Sequence, residues 1–502
     1  LQVADLIPVV EAEDWGGPLT LPLVGLHYNS KEIKPGHLFV AIKGFVTDGH
    51  LYVPEAIEKG AKAVILEREV PLPPQVAWIK VKDSRQALGR ASAFFYNSPS
   101  HRLRLFGITG TNGKTTVAHL LEAILKAGGR APALLGTIVN RWGEKIQPSK
   151  HTTMESLDLQ RIFKELDEAQ ITQVIMEVSS HALTLKRLEG TEMDVGIFTN
   201  LSPEHLDFHR DMEDYFQSKL LLFKNLTHGV KKDPKYGVVN RDDPWGLRLL
   251  GCLKEMGVPF VTYGLSPQAE VRAERIFLGP QGTGFELIWP QGRAWVELKL
   301  IGEFNIYNAL AAFALAWQEG IEPQVALEAL SSFPGVPGRM ERICQGQPFS
   351  VIVDYAHTPD GLEKVLKNVR HFTSNRVITV FGCGGDRDAS KRPLMGRAAA
   401  QWSHLVVITS DNPRDEDPLK IIEDILPGVK GVPGSAYKVI PHRREAIAFA
   451  LREARPGDTV LIAGKGHENY QIVKGKYLPF DDRAVAREEL RSLGYGGEAP
   501  CS

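Results

Sequence analysis

Gly107-Ile-Thr-Gly-Thr-Asn-Gly-Lys-Thr-Thr116 is the stretch that decides how the 502 residues of this chain are read. The apolar run Leu103–Phe106 before it predicts a strand. Behind it Val117, Leu120, Leu121, Ile124 and Leu125 recur at helical spacing until Gly128-Gly129 ends the pattern. Strand, glycine loop, lysine and helix N-terminus together make an anion cradle. Backbone N–H groups meet phosphates, Lys114 neutralises charge and a threonine hydroxyl reaches Mg²⁺. Ile108 stands where the strict G-x-x-x-x-G-K-[ST] pattern has its first glycine, so that spacing is not met. The competing reading is an ordinary glycine turn, but Gly-Lys-Thr at a strand–helix junction favours a nucleoside triphosphate.

The bulk composition excludes several classes. The length suggests about three domains, and 43% hydrophobic residues supply ample core. Lys and Arg number 59 against 60 Asp and Glu, a balance without a nucleic-acid footprint. No apolar run approaches the ~20 residues of a membrane span, and no signal peptide is recognised at the start. A cytoplasmic protein is therefore expected. Cys252, Cys344, Cys383 and Cys501 are scattered without a C-x-x-C pair and read as reduced thiols.

Three segments follow along the chain. Residues 1–100 carry short apolar runs such as Leu38–Ile42 and Ala61–Leu66, and end in the linker Tyr96-Asn-Ser-Pro-Ser100. Residues 101–335 open with the glycine loop and continue through strand–loop–helix alternations to Phe333-Pro-Gly-Val-Pro-Gly338. In residues 336–502 the runs Val377–Phe381, Leu405–Ile408 and Val460–Ala463 predict buried parallel strands. The fold class is α/β: a smaller N-terminal domain, a central P-loop domain with a parallel or mixed sheet, and a C-terminal Rossmann-like domain.

In open parallel sheets, ligands bind beyond the carboxyl ends of strands. Polar clusters recur there. Val174–Met176 runs into Glu177-Val-Ser-Ser-His181, and Val195–Phe198 into Thr199-Asn-Leu-Ser-Pro-Glu-His205-Leu-Asp-Phe-His209. The third segment adds Gly382-Cys-Gly-Gly-Asp-Arg387, Asp411-Asn-Pro-Arg414 and Gly464-Lys-Gly-His-Glu468. Beside a phosphate loop, Glu177 is favoured as a Mg²⁺ ligand over a plain charged strand terminus. His205 is evenly balanced between metal ligand and ordinary histidine, because imidazole prefers softer ions. Lys219, on an expected helix Glu213–Phe223, reads by itself as a solvated surface lysine.

Taken together, Gly110–Thr116, Glu177–His181, Asn200–His209 and Tyr215-Phe-Gln-Ser-Lys219 resemble the Mur ligase family of ATP-dependent amide-bond ligases. Gly302-Glu-Phe-Asn-Ile-Tyr-Asn308, Pro337-Gly-Arg339 and Asp354-Tyr-Ala-His-Thr-Pro-Asp360 agree, in order along the chain. The resemblance implies a UDP-binding N-terminal domain, a central ATPase and a C-terminal domain that brings an amino acid. Within the family the likeness is greatest to the branch that extends UDP-N-acetylmuramoyl-L-alanyl-D-glutamate. It implies ATP bound by Gly110, Thr111, Asn112, Gly113, Lys114, Thr115, Thr116, Asn308, Arg339 and Asp354. It also implies two Mg²⁺ ions, the first on Thr115 and Glu177 and the second on His205 and on Lys219 as a CO₂-derived carbamate. A carbamate is anionic and offers oxygen, so it suits Mg²⁺ where an ammonium would repel it. Lys114, Glu177, His205 and Lys219 are the catalytic set so implied.

For the sugar substrate, Ser30 matches the uridine end and Thr152, Thr153, Ser179 and Arg187 the muramoyl dipeptide. Met154 stands where the family commonly has proline, and Leu185 where it often has glutamine. Asp411, Asn412, Pro413 and Arg414 match the loop of relatives that add meso-diaminopimelate; lysine-adding relatives lack the arginine. The physics agrees, since diaminopimelate is lysine with a second carboxylate and a guanidinium grips a carboxylate with two parallel hydrogen bonds. Arg387, Gly464 and Glu468 match the remaining amino-acid contacts, and a monomer is expected. The bland alternative for Arg414 is an ion pair with Asp415 or Glu416. Competing functions are a lysine-adding or D-alanyl-D-alanine-adding relative, a folylpolyglutamate-type ligase, and a P-loop switch without ligase chemistry.

Overall fold

The computed structural model describes residues 1–44, 47–149, 151–206, 208–231, 233–279 and 281–496. Asp207 of the quoted motif and Cys501 lie outside them. Three α/β units follow one another. The first holds a five-stranded sheet, parallel except for its edge strand Asp14–Gly16, which pairs antiparallel with Ala77–Lys80.

The second unit is built on the strand Arg104–Thr109, flanked in parallel by Gln173–Glu177 and Val195–Phe198. Alternation along that strand sends Phe106 and Ile108 to one face and Leu105 to the other. Helices Lys114–Ala127 and Glu303–Gln318 cover the first face; Ser156–Glu168 and Met212–Asn225 cover the second. Val117, Leu120, Leu121, Ile124 and Leu125 are all fully buried, as their spacing predicts. Each such burial is worth about 1.5–3 kcal/mol, so packing rather than helix propensity holds this helix.

The sheet extends to eleven strands, with antiparallel additions at both edges. One of these is the meander Val271–Gly279, Gly282–Trp289 and Gly292–Leu298. The mixed sheet agrees with the sequence reading.

In the third unit Val377–Phe381, Leu405–Ile408 and Thr459–Ala463 are parallel neighbours, with Ser350–Asp354 beside Thr459–Ala463. Cys252 and Cys383 are free, whereas Cys344 is disulfide-bonded. The Cys344 disulfide departs from the expectation of reduced thiols throughout, which rested on the absence of a C-x-x-C pair. No described helix is long and apolar enough to cross a membrane.

Candidate active site

The register places Glu177 opposite Ile108 and Phe198 opposite Thr109, so three strands release their loops at one sheet edge. Gly110 and Gly113 take φ of 148° and 88°, in the region that favours glycine. A Cβ on Gly113 would stand 2.4 Å from Asn308 Oδ1, so this glycine lets the helix Glu303–Gln318 close against the loop. Lys114 Nζ donates to the carbonyls of Gly110 (2.8 Å) and Thr111 (2.9 Å). Burial pulls its pKa below the ordinary value, opposed by Glu204 and Glu177.

Glu177 is 1% exposed and both its oxygens are held. Oε2 accepts from the hydroxyls of Thr115 (2.8 Å) and Thr137 (2.9 Å), and Oε1 from Thr137 N at 2.8 Å. Thr137 is missing from the sequence reading, although the strand-end rule pointed to it: it follows the short strand Ala133–Leu135.

Lys219 overturns the reading its residue type alone suggests. It lies on the helix Met212–Asn225 at 1% exposure, where Nζ donates to Gly110 O at 3.0 Å and sits 4.5 Å from the Tyr215 ring. Burial, with Lys114 alongside, holds its pKa well below the ordinary lysine value, opposed by Glu204. His205 adopts a left-handed φ of 59°, with its ring 4.8 Å from His181 and 6.2 Å from Tyr215. Glu204, which the sequence reading quoted without singling out, lines the same cleft.

Among the described residues no group of three or more His, Cys, Asp or Glu side chains forms a metal site. The Thr115–Glu177 pair nevertheless suits magnesium, which takes one or two protein oxygens and completes its shell with water and phosphate.

The cleft has a volume of about 560 Å³ and is shared between two sheet edges. Thr111–Thr116, Glu177, His205 and Asn308 line it from the second unit, and Arg339, Asp354, Tyr355 and His357 from the third. Arg339 lies over the Tyr355 ring at 4.5 Å, and its buried Nε has no hydrogen-bond partner among the described residues. Asp354 accepts from Met340 N and Ala356 N, both at 2.8 Å, while burial raises its pKa.

Thr153, Ser179 and Arg187 form one cluster. Thr153 Oγ1 donates to Glu177 O (2.9 Å) and accepts from Ser179 N (3.0 Å), and Arg187 donates to Thr153 O at 2.9 Å. Thr152 joins through Thr137 at 3.2 Å. Ser30 stands apart in the first unit, donating to Glu55 at 2.9 Å. Met154 packs into the core on this face of the sheet. Leu185 caps the short helix Ser180–Thr184.

Loops of the third unit bring Arg387, Asp411–Arg414, Gly464 and Glu468 together. Arg414 has a left-handed φ of 53°, fixed by backbone bonds from its N to Ile472 O (3.0 Å) and from Lys474 N to its O (2.7 Å). Its Nη1 donates to Gly385 O at 2.6 Å. A Cβ on Gly384 would stand 2.9 Å from Arg414 Nη1 and 3.9 Å from Arg387 Cγ, so both arginines lie along that glycine. Among the described residues Arg414 makes no ion pair, and Glu416 is engaged by Arg392 instead. Asn412 Nδ2 donates to Glu468 Oε2 at 2.8 Å, and Gly464 (φ 114°) lets Asp411 approach. Tyr355 links the two regions: burial, followed by Glu468, pushes its hydroxyl up to about 12.

This geometry is that of a nucleotide-dependent enzyme, and comparison with known proteins names its family. Family models match residues 22–96 (Mur ligase family, catalytic domain), 108–316 (Mur ligase middle domain) and 338–466 (Mur ligase, glutamate ligase domain). The UDP-N-acetylmuramoyl-L-alanyl-D-glutamate–2,6-diaminopimelate ligase of Syntrophomonas wolfei is 44% identical, over 98% of this chain and 99% of that protein. The protein of the same name from Geobacillus thermodenitrificans is 46% identical, over 93% of this chain and 95% of its own length. A solved structure of such a ligase superposes with a TM-score of 0.70 at 32% identity, covering 98% of this chain and 99% of that one. The chain belongs to the Mur ligase family.

Proposed function

We propose that this chain is an ATP-dependent ligase of peptidoglycan precursor synthesis in the cytoplasm. It joins meso-diaminopimelate to the D-glutamate side-chain carboxylate of UDP-N-acetylmuramoyl-L-alanyl-D-glutamate. The observation that carries this reading is the shared cleft, with Lys114 and Glu177 on one wall and Arg339 and Tyr355 on the other. Relatives at 44% and 46% identity that carry this activity in their names support the substrates.

The D-glutamate carboxylate attacks the γ-phosphate of ATP to give an acyl phosphate and ADP. The amine of diaminopimelate then displaces phosphate through a tetrahedral intermediate. Both steps depend on positioning and charge neutralisation. The Gly110–Thr116 loop cradles the phosphates, and Lys114 moves its ammonium from loop carbonyls to phosphate oxygens. Magnesium held by Thr115 and Glu177, with a second ion on His205 and carbamylated Lys219, would neutralise phosphate charge. Burial favours the neutral Lys219 amine. That amine attacks the carbon of CO₂, forms an N–C bond and releases a proton, leaving an anionic oxygen donor. Thr152, Thr153, Ser179 and Arg187 hold the peptide end and Ser30 the uridine end. Arg387, Asp411–Arg414, Gly464 and Glu468 hold the amino acid. Closure of the third unit keeps water from the acyl phosphate.

The test is phosphate release measured with each substrate omitted in turn. Release that requires ATP, the UDP-muramoyl dipeptide and diaminopimelate together supports the reading. Release with ATP alone points to a P-loop hydrolase or switch.

A further inference from the structure

Lys465 lies between Gly464 and Gly466, whose φ values of 114° and 52° turn the chain after the strand Thr459–Ala463. Its side chain has no exposed surface. An ammonium has three donors, and here each finds an acceptor: Glu468 Oε2 at 3.1 Å, Asn412 Oδ1 at 3.2 Å and the Tyr470 carbonyl. With all three engaged, Lys465 has none left for a substrate.

We propose that Lys465 is a positioning residue for the incoming amino acid, acting through Glu468 and Asn412; this rests on reading those loops as the amino-acid site. Glu468 Oε2 receives both Lys465 and Asn412 Nδ2, and among the described residues Oε1 accepts no hydrogen bond. Lys465 thus turns one carboxylate oxygen inward and presents the other to a substrate ammonium. On the far side, Asn412 Oδ1 also accepts Ile472 N at 2.9 Å, joining the Asp411–Arg414 loop to the strand Tyr470–Val473. Desolvating an ammonium this deeply is costly, and an apolar side chain of similar volume would serve stability as well. The arrangement of Glu468 and Asn412 is what a lysine adds.

The test compares Lys465→Met, Lys465→Arg, Glu468→Gln and the double variant Lys465→Met/Glu468→Gln, reading KM for diaminopimelate and for ATP separately. Lys465→Met should raise the diaminopimelate KM by about tenfold or more and leave the ATP KM within about twofold. Lys465→Arg should fall between Lys465→Met and the unaltered enzyme. The double variant should fall well short of the product of the two single effects, because Lys465 works in part through that carboxylate. Should Lys465→Met not fold, a raised diaminopimelate KM in Lys465→Arg carries the same meaning. An unchanged diaminopimelate KM in the lysine variants, a parallel rise in both KM values, or full additivity with Glu468→Gln overturns the proposal. If Glu468→Gln itself leaves the diaminopimelate KM unchanged, the amino-acid site reading falls, and this inference with it.

Discussion

Ser202 donates its hydroxyl to the Asp360 carboxylate at 2.9 Å, bridging the nucleotide-binding unit and the third unit. Its backbone N also meets Thr111 Oγ1 at 3.0 Å, so one residue touches both the phosphate loop and the first turn of the helix Pro359–Phe372. Ser202→Ala should loosen the closed arrangement by about 1 kcal/mol, the net worth of one such bond. The expected outcome is a roughly fivefold loss in kcat/KM for the amino acid with nearly unchanged ATP affinity. Steady-state kinetics beside equilibrium nucleotide binding checks it.

Glu177→Gln keeps the shape of the side chain and removes its charge. Its carboxamide also turns a donor toward Thr115 or Thr137, where only an acceptor now stands. Ligation should fall by about a hundredfold to a thousandfold, the range for loss of one preorganised charge-stabilising group. Lys114→Ala should behave alike. Circular dichroism should show both variants folded, and near-normal ligation at saturating ATP and Mg²⁺ in either one counts against the phosphate site.

Lys219→Ala should abolish ligation, and small carboxylic acids should restore part of it by supplying oxygen. Carbon NMR of the protein under ¹³C-labelled CO₂ should show a carbamate signal that the variant lacks. An active enzyme without that signal removes the carbamate from the account.

His467 supplies a pH test. Burial above all, then Arg339, Arg483, His119 and Lys465, lowers its pKa from 6.5 to about 3. The unfolded chain therefore takes up this proton first, and folding stability falls as pH drops from about 6.5 towards about 3. In His467→Gln that part of the acid loss should disappear. Unfolding temperatures of both proteins across this range check it; parallel curves contradict it.

Val195–Phe198, Val377–Phe381 and Leu405–Ile408 were legible to the residue because strands buried on both faces are nearly continuous apolar runs. The meander's last strand Gly292–Leu298 was not, since exposed residues alternate along it with half-buried and buried ones. The phosphate loop was legible because its chemistry is local. Lys219 was not legible as buried, because its helix turns that side towards Gly110, 109 residues away along the chain. Thr137 was missed because its carboxylate partner Glu177 is 40 residues away along the chain; Lys465 stands three residues from Glu468 but meets Asn412, 53 residues away, only once the chain folds.

The central claim is that Arg414 selects a second carboxylate. Truncating one side of a desolvated charge pair costs about 2–5 kcal/mol, so Arg414→Ala should weaken diaminopimelate use by roughly tens to thousands of times. The most direct measurement gives the enzyme equal meso-diaminopimelate and L-lysine with ATP and the UDP-muramoyl dipeptide, and weighs the two products by mass spectrometry. The account predicts the diaminopimelate product almost alone from the unaltered enzyme, and a collapse of that preference in Arg414→Ala. A lysine product in excess, or a preference untouched by Arg414→Ala, contradicts it.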